Sequence, residues 1–409
     1  MIVDRPSSVR RAAVIGGSLG GLFAANLLRR IGWDVAIFER SAGDLSGRGA
    51  GLGTHGDLFA VLNQIGIDCN DGIGVRIKSR LCLDHDGSIY CEVPLQSVAT
   101  AWDRVYRALR DALPSRYYQA GKHFHRFEQG PSGVRAFFSD GTHADADILI
   151  AADGIHSTVR RQLIPDAEPT YAGYVGWRGA VAASDIPAAW QELTRHHMNF
   201  CFPEGELALS VPMPSLASVG DASRVQVTWF RPTESETELR ELCTDGAGRY
   251  HGPSIPPTAI RRSIIEEIKK RADILAPQMS VLVRALKHPL LQPIFDLETP
   301  RLVFGRVLLL GDAAFVARPH VGTGVTKAAL DAATLARVLQ ASDADIGAAL
   351  ARYESERLDY GRRLVARGRS LGAYLEAQLK PREVRSRTEL YRHPEAVMRQ
   401  FGAAGEAAA

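Results

Sequence analysis

Three acids in this chain stand at the ends of apolar runs, each beside glycine or just after a glycine-led helix. Glu39 closes VAIFE, Asp153 follows ILIAA and precedes Gly154, and Asp312 follows LLLG. A carboxylate at the rim of a buried strand is placed to accept hydrogen bonds from sugar hydroxyls, and Glu39 lies the expected distance of about 20 residues beyond a glycine cluster. Two glycine clusters, Gly16-Gly17-Ser18 and Gly322-Thr323-Gly324, each precede a helical pattern. Helix starts of this kind offer bare N–H groups and the positive end of a dipole to an anion. His55 and His320 each sit in a loop, and an imidazole that titrates near neutrality suits proton transfer. The chemistry indicated is dinucleotide binding with a proton acceptor nearby.

These residues need particular elements to hold them. Ala13 to Arg40 reads as strand, tight turn, helix and parallel strand: Gly16 permits the turn, Gly21 allows close helix packing, and Ser18 replaces the usual middle glycine. Nicotinamide and flavin dinucleotides both fit this unit. The loop SAGDLSGRGAGLGTHG follows, with Arg48 in reach of a phosphate and His55 near its end. Between Arg76 and Pro94 the alternation about Asp86-Gly87 predicts a hairpin, and with it passage into a second, antiparallel sheet. The chain then returns through an amphipathic helix that carries Arg104 and Arg107.

Val134–Phe138 and Ile148–Ala151, on either side of Ser139-Asp140-Gly141, predict a second hairpin whose last strand is buried and ends at Asp153-Gly154. From Tyr171 to Pro289 aromatic-rich alternating segments predict an antiparallel sheet with helices, the wall of a pocket. The strand ending Gly311-Asp312 leads through Pro319 and His320 to an alanine-rich helix, whose first amides would stabilise developing negative charge. Arg362, Arg363, Arg367 and Arg369 read as a solvated face of a packing helix.

Length and composition narrow the class. The 409 residues can bury a large core, and 45% hydrophobic with 23% charged residues is ordinary for a globular protein. A net charge of +3 is too small to imply nucleic acid or an anionic membrane as partner. No apolar run spans a bilayer and the first residues lack a signal-peptide core, so the expected location is cytoplasmic. Cys69, Cys82, Cys91, Cys201 and Cys243 have neither metal-site nor disulfide-framework spacing, so no metal is expected. The terminal GAAGEAAA is expected to fray.

Taken together, the glycine cluster with Glu39, Asp153-Gly154, and Gly311-Asp312 before Pro319 resemble the single-component FAD-dependent aromatic hydroxylases of the para-hydroxybenzoate hydroxylase type. The resemblance runs from Val9 to Arg369. It implies an α/β, two-domain fold: a Rossmann-like FAD-binding domain (1–76, 98–170 and 288–345), an inserted antiparallel-sheet substrate domain (77–97 and 171–287), and a C-terminal helical segment (346–409). It also implies that Gly16, Ser18, Leu19, Gly20, Glu39, Arg40, Arg48, Gly51, Leu52 and Arg104 hold FAD. Asp153 and Gly154 would serve both FAD and the passing nicotinamide cofactor. Gly311 and Asp312 would bind the ribityl chain, and Pro319 with the Gly322, Thr323 and Gly324 amides would face the flavin ring.

Within the family, PTYAGYVGWRG, GRVLLLGDAA and Arg318-Pro319-His320 look most like the 2,6-dihydroxypyridine 3-hydroxylase group, which acts on hydroxylated pyridines. The implied reaction uses NADH or NADPH and O2 to hydroxylate such a ring through a flavin hydroperoxide, with His55 and His320 as candidates for substrate contact or base. A phenol or hydroxybenzoate is the alternative substrate. A flavin oxidase or dehydrogenase without oxygen insertion is the alternative class, and a nonenzymatic dinucleotide sensor is a third. The expected partners are the small aromatic substrate and O2, with a homodimer as the default assembly.

Overall fold

A computed structural model of the chain describes residues 9–46, 51–54, 56–69, 73–214, 222–233, 235–342, 345–376, 380, 382–384 and 400. Arg48, His55 and the GAAGEAAA tail lie outside the described residues.

One sheet has six strands. Its order is Val303–Phe304, Val307–Leu309, Ile148–Ala151, Arg11–Ile15, Asp34–Glu39 and Tyr118–Ala120, and all neighbours are parallel except the first pair. Parallel strands are covered on both faces, which is why these segments read as continuous apolar runs. Helices Leu19–Arg30 and Gly324–Ala341 pack together on the sheet. Arg11–Ile15 and Ile148–Ala151 lie side by side, so Ile15 and Ala151 end at the same edge and deliver Gly16 and Asp153 together.

One expected hairpin is different. Val134 to Phe138 turns at Ser139-Asp140-Gly141 and pairs with His143–Ala146 rather than Ile148–Ala151, within a small sheet that includes Phe124–Gly130. Ile148–Ala151 crosses into the parallel sheet, because four consecutive fully buried residues cannot serve a two-stranded ribbon with one face in water.

The second sheet has nine strands, ordered Phe315–Val316, Leu290–Glu298, Thr170–Ala182, Ala222–Pro232, Leu207–Pro214, His197–Cys201, Gly74–Leu83, Ile89–Ala101 and Gly51–Gly53. It is antiparallel apart from His197–Cys201 beside Gly74–Leu83, where the chain returns only after passing through the parallel sheet. The hairpin about Asp86-Gly87 is present as expected. One face carries Val175, Trp177, Val225, Val227 and Trp229 against helices Arg262–Arg271 and Pro277–Ala285. Alternation turns Tyr174, Arg178, Gln226, Thr228 and Phe230 to the other face.

The helix Ile346–Glu376 ties the two sheets together. Near its start the Tyr353 hydroxyl donates to the Leu309 carbonyl at 3.0 Å, and near its end Tyr374 accepts the Gly205 N–H at 2.6 Å. Arg362, Arg363, Arg367 and Arg369 lie exposed or half-exposed, as expected, and two of them reach the sheet strand Leu290–Glu298: Arg369 pairs with Asp296 at 3.4 Å and Arg362 with Glu298 at 3.7 Å.

Candidate active site

Gly16 follows the first strand with φ of +106°, and a Cβ there would stand 2.3 Å from the Ala152 carbonyl oxygen. Only glycine lets the two strand ends close on each other here. Ser18 then caps helix Leu19–Arg30 with extended backbone and no side-chain cap bond, and the first turn holds no acid. The N–H groups of this turn are left for an incoming anion, with Leu19 buried and Gly20 packed near Leu310 and Ala328.

Glu39 is buried at 7% exposure, where one carboxylate oxygen accepts the Gly17 N–H and the other the Ser41 N–H, both at 2.8 Å. Each oxygen keeps a second lone pair for a hydroxyl donor. A cavity of about 430 Å³ opens beside it, lined among others by Gly16, Ser18, Arg40, Trp102, Asp153 and Gly154. Residues widely separated in sequence are thus brought to one mouth. Gly51, Leu52 and Arg104 do not line this cavity. Gly51 donates instead to the Gln226 side chain, and Leu52 pairs with Thr100 in the nine-stranded sheet. Arg104 lies on Trp102–Ala112, near Asp103 and Arg224, and its partial burial lowers its pKa.

Asp153 has two roles on its two oxygens. Oδ2 accepts the Thr158 and Val159 N–H groups at 2.7 and 3.3 Å and so helps cap the helix Thr158–Leu163, while Oδ1 is buried without a partner. Burial raises the Asp153 pKa above the ordinary carboxylate value despite those donors. An orphaned acceptor of this kind is costly unless a ligand hydroxyl completes it.

The second cluster is built on helix Gly324–Ala341. Gly311 N–H donates to Asp331 at 3.0 Å, and Asp331 in turn accepts from Arg357 at 2.7 Å. Asp312 faces outward and accepts from Lys327 at 2.9 Å. Pro319–Val321 forms a single helical turn, Gly322 takes φ of +64°, and Thr323 caps the long helix without a side-chain cap bond. The Thr323 hydroxyl is buried with no partner. Uncapped helix starts at both clusters, with orphaned Asp153 Oδ1 and Thr323 Oγ1, fit a long dinucleotide that supplies hydroxyls and anionic oxygens.

His320 is fully buried. Its Nε2 shares a 2.8 Å hydrogen bond with the Tyr174 hydroxyl, and its ring lies against Tyr174 and Phe230 at centroid distances of 5.7 and 4.8 Å. The adjoining Arg318 is anchored by Asp296 at 2.8 Å.

Lys327, Asp331, Tyr174 and Arg178 escape a reading of the sequence alone. The available signals were weak: a lysine between a threonine and two alanines just inside a helix, and an arginine among aromatics in YVGWRG.

Comparison with known proteins agrees with this geometry. Residues 171–296 match a family model described as FAD binding domain-like, and residues 296–368 match one described as FAD binding domain. The 2,6-dihydroxypyridine 3-monooxygenase of Paenarthrobacter nicotinovorans is 32% identical over 368 residues, which cover 90% of this chain and 91% of that protein. The 3-amino-4-hydroxybenzoate 2-monooxygenase of Streptomyces cremeus is 32% identical, covering 85% of this chain and 83% of that protein. The solved 2,6-dihydroxypyridine-3-hydroxylase from Arthrobacter nicotinovorans superposes with a TM-score of 0.85 at 29% identity, covering 95% of this chain and 98% of that one. FAD is the bound cofactor and NAD(P)H the reductant. The chain belongs to the single-component FAD-dependent aromatic hydroxylases and is a flavoprotein aromatic-ring monooxygenase.

Proposed function

We propose that this enzyme hydroxylates a hydroxylated N-heteroaromatic ring of the pyridine type. The observation that carries the reading is the match along nine-tenths of the chain to a monooxygenase named for 2,6-dihydroxypyridine. FAD, once bound and reduced by NAD(P)H, would supply the activation of O2, of which one oxygen atom enters the ring and the other leaves as water.

The protein holds the cofactor and the ring. Gly16, Ser18, Leu19 and Gly20 at the first helix start receive the pyrophosphate, Glu39 the ribose, and Arg40, Arg48 and Arg104 add positive charge along it. Gly51 and Leu52 border the cofactor. Asp153 and Gly154 serve FAD and the passing nicotinamide, while Gly311 and Asp312 hold the ribityl chain. Pro319 and the amides of Gly322, Thr323 and Gly324 face the flavin ring, where they balance negative charge. The division into a cofactor unit (1–76, 98–170, 288–345), a substrate unit (77–97, 171–287) and a helical segment from 346 belongs to the same proposal, as do a cytoplasmic location and a homodimer.

A proton acceptor makes the ring more electron-rich as oxygen is transferred. His320, bonded to Tyr174, and His55 are its candidates. A phenol or hydroxybenzoate substrate is the second reading, favoured by the match to the Streptomyces cremeus enzyme. Screening hydroxypyridines and hydroxybenzoates for stimulated NADH oxidation, with product masses under oxygen-18 gas, tests both. Labelled product from a hydroxypyridine alone supports the first reading. Labelled product from a benzoate alone supports the second, and unlabelled oxidised product shows an oxidase or dehydrogenase.

A further inference from the structure

Arg178 stands in the middle strand Thr170–Ala182 of the nine-stranded sheet, paired with Thr228 on one side and Leu290 on the other. It shares the face of Tyr174 and Gly176, opposite the face whose Trp177 packs under the helices. Two contacts fix what this face looks toward. At one end Tyr174 and Phe230 touch His320, next to the Pro319–Gly324 segment. At the other, Gln226 accepts the Gly51 N–H and donates to Thr228. Arg178 therefore lies between the two segments that the proposed function assigns to the cofactor.

Its charge is unanswered there. Nη1 donates to the neutral Gln292 side chain, and Nε is buried without a partner. Among the described residues no carboxylate is bonded to Arg178. Burial alone lowers its pKa to about 10, with no neighbouring charge contributing to the shift. Three buried cations among the described residues are paired with carboxylates, Arg318 with Asp296, Arg357 with Asp331 and Lys327 with Asp312, while buried Arg160 is instead completed by three backbone carbonyls. Among these residues Arg178, half-buried with an orphaned Nε, has neither an anion nor such a set of carbonyls, and desolvation of an uncompensated charge costs several kcal/mol.

We propose that Arg178, steadied by Gln292, binds a negatively charged oxygen of the aromatic substrate and thereby selects anionic rings. The oxygen is that of an ionised ring hydroxyl or of a ring carboxylate, and a planar guanidinium suits either. This assignment rests on the reading of the enzyme as a hydroxylase of small aromatics.

The test uses FAD-loaded wild type, Arg178→Gln and Arg178→Lys. Dissociation constants for a hydroxypyridine, a hydroxybenzoate and their O-methylated or methyl-ester analogues are read from perturbation of the flavin absorbance, and product mass is followed separately. FAD content and melting temperature verify that each variant is folded. Arg178→Gln should weaken the anionic ligands on the order of 10- to 100-fold, with Arg178→Lys intermediate and the uncharged analogues unchanged. For a ring oxyanion the loss appears only above the pKa of the ligand hydroxyl, whereas for a carboxylate it persists at all pH values above the carboxylate range. Equal weakening of charged and uncharged ligands, or none, overturns the assignment, as does a wild type that binds none of the panel. Charge-selective binding without hydroxylated product supports Arg178 and overturns the hydroxylase reading for these rings.

Discussion

The Lys327 ammonium, only 2% exposed, donates across 2.9 Å to the Asp312 carboxylate, which is 56% exposed. If the pair breaks, water can solvate the exposed carboxylate but not the buried ammonium. Lys327 also donates to the Phe315 carbonyl, so it fastens Asp312 to the turn that follows it.

That asymmetry predicts an order of damage that runs against intuition about surface residues. Asp312→Ala strands a buried charge and should destabilise the FAD-free protein by about 3 kcal/mol. Lys327→Met removes the charge along with its hydrogen bonds, and the two effects partly cancel, leaving about 1 kcal/mol. Urea unfolding measures both. Equal losses, or a larger loss for Lys327→Met, contradict the pairing as the reason for the buried lysine.

Asp153 carries a pH signature. Its folded pKa is raised by burial, so the protonated acid is the form the FAD-free fold prefers. Sign follows from linkage: this stabilisation is complete below the unfolded value near 3.8 and is lost as pH rises through the higher folded value. Asp153→Asn has no such titration. The stability of wild type relative to Asp153→Asn should therefore fall as pH rises from about 3.8 through the raised folded value, while FAD binds the variant on the order of ten times more weakly. A difference that is flat with pH would show that Oδ1 is not desolvated in solution.

The histidines separate by setting. His320→Ala opens a void in a closed cluster and should slow single-turnover hydroxylation more than it weakens FAD binding. Tyr174→Phe keeps the ring contacts, removes the shared hydrogen bond, and should destabilise by about 1 kcal/mol with a smaller slowing of the same step. His55→Ala is compared alongside. Unchanged single-turnover hydroxylation in both His55→Ala and His320→Ala removes both side chains from the chemistry.

What was legible in the sequence follows from range. Glycine positions, the apolar strand before Gly16 and the turn at Asp86-Gly87 are local signals, and the corresponding elements are present. Ile148–Ala151 was legible as a buried strand but not as a parallel one, because an apolar run does not name its neighbour. Arg178 and Lys327 were not legible as site residues. A charged residue in a strand or helix looks the same in sequence whether its face meets water or the interior, and only the packing of distant elements decides. Arg362, Arg363, Arg367 and Arg369 of the last helix read as a solvated face and lie exposed or half-exposed, but the partners Asp296 and Glu298, more than 60 residues away, were not legible for the same reason.

The last prediction concerns that helix. Gly372 sits inside Ile346–Glu376, where alanine would ordinarily add about 1 kcal/mol by restricting the unfolded chain. Here a Cβ would meet the Tyr174 hydroxyl at 2.6 Å and Arg318 side-chain atoms at 2.8 and 2.9 Å. Neither neighbour is free to yield, because Tyr174 is bonded to His320 and Arg318 to Asp296. Overpacking of this kind costs about 1–3 kcal/mol, which offsets or exceeds the gain in helix propensity. Gly372→Ala should thus lower the melting temperature and slow hydroxylation by displacing His320. Gly347→Ala, in the same helix with only the Asp345 side chain nearby at 3.3 Å, should leave activity unchanged and be neutral or stabilising. Thermal unfolding and turnover of the two variants decide the matter: a stabilised, fully active Gly372→Ala would mean that the helix does not press on the His320 cluster.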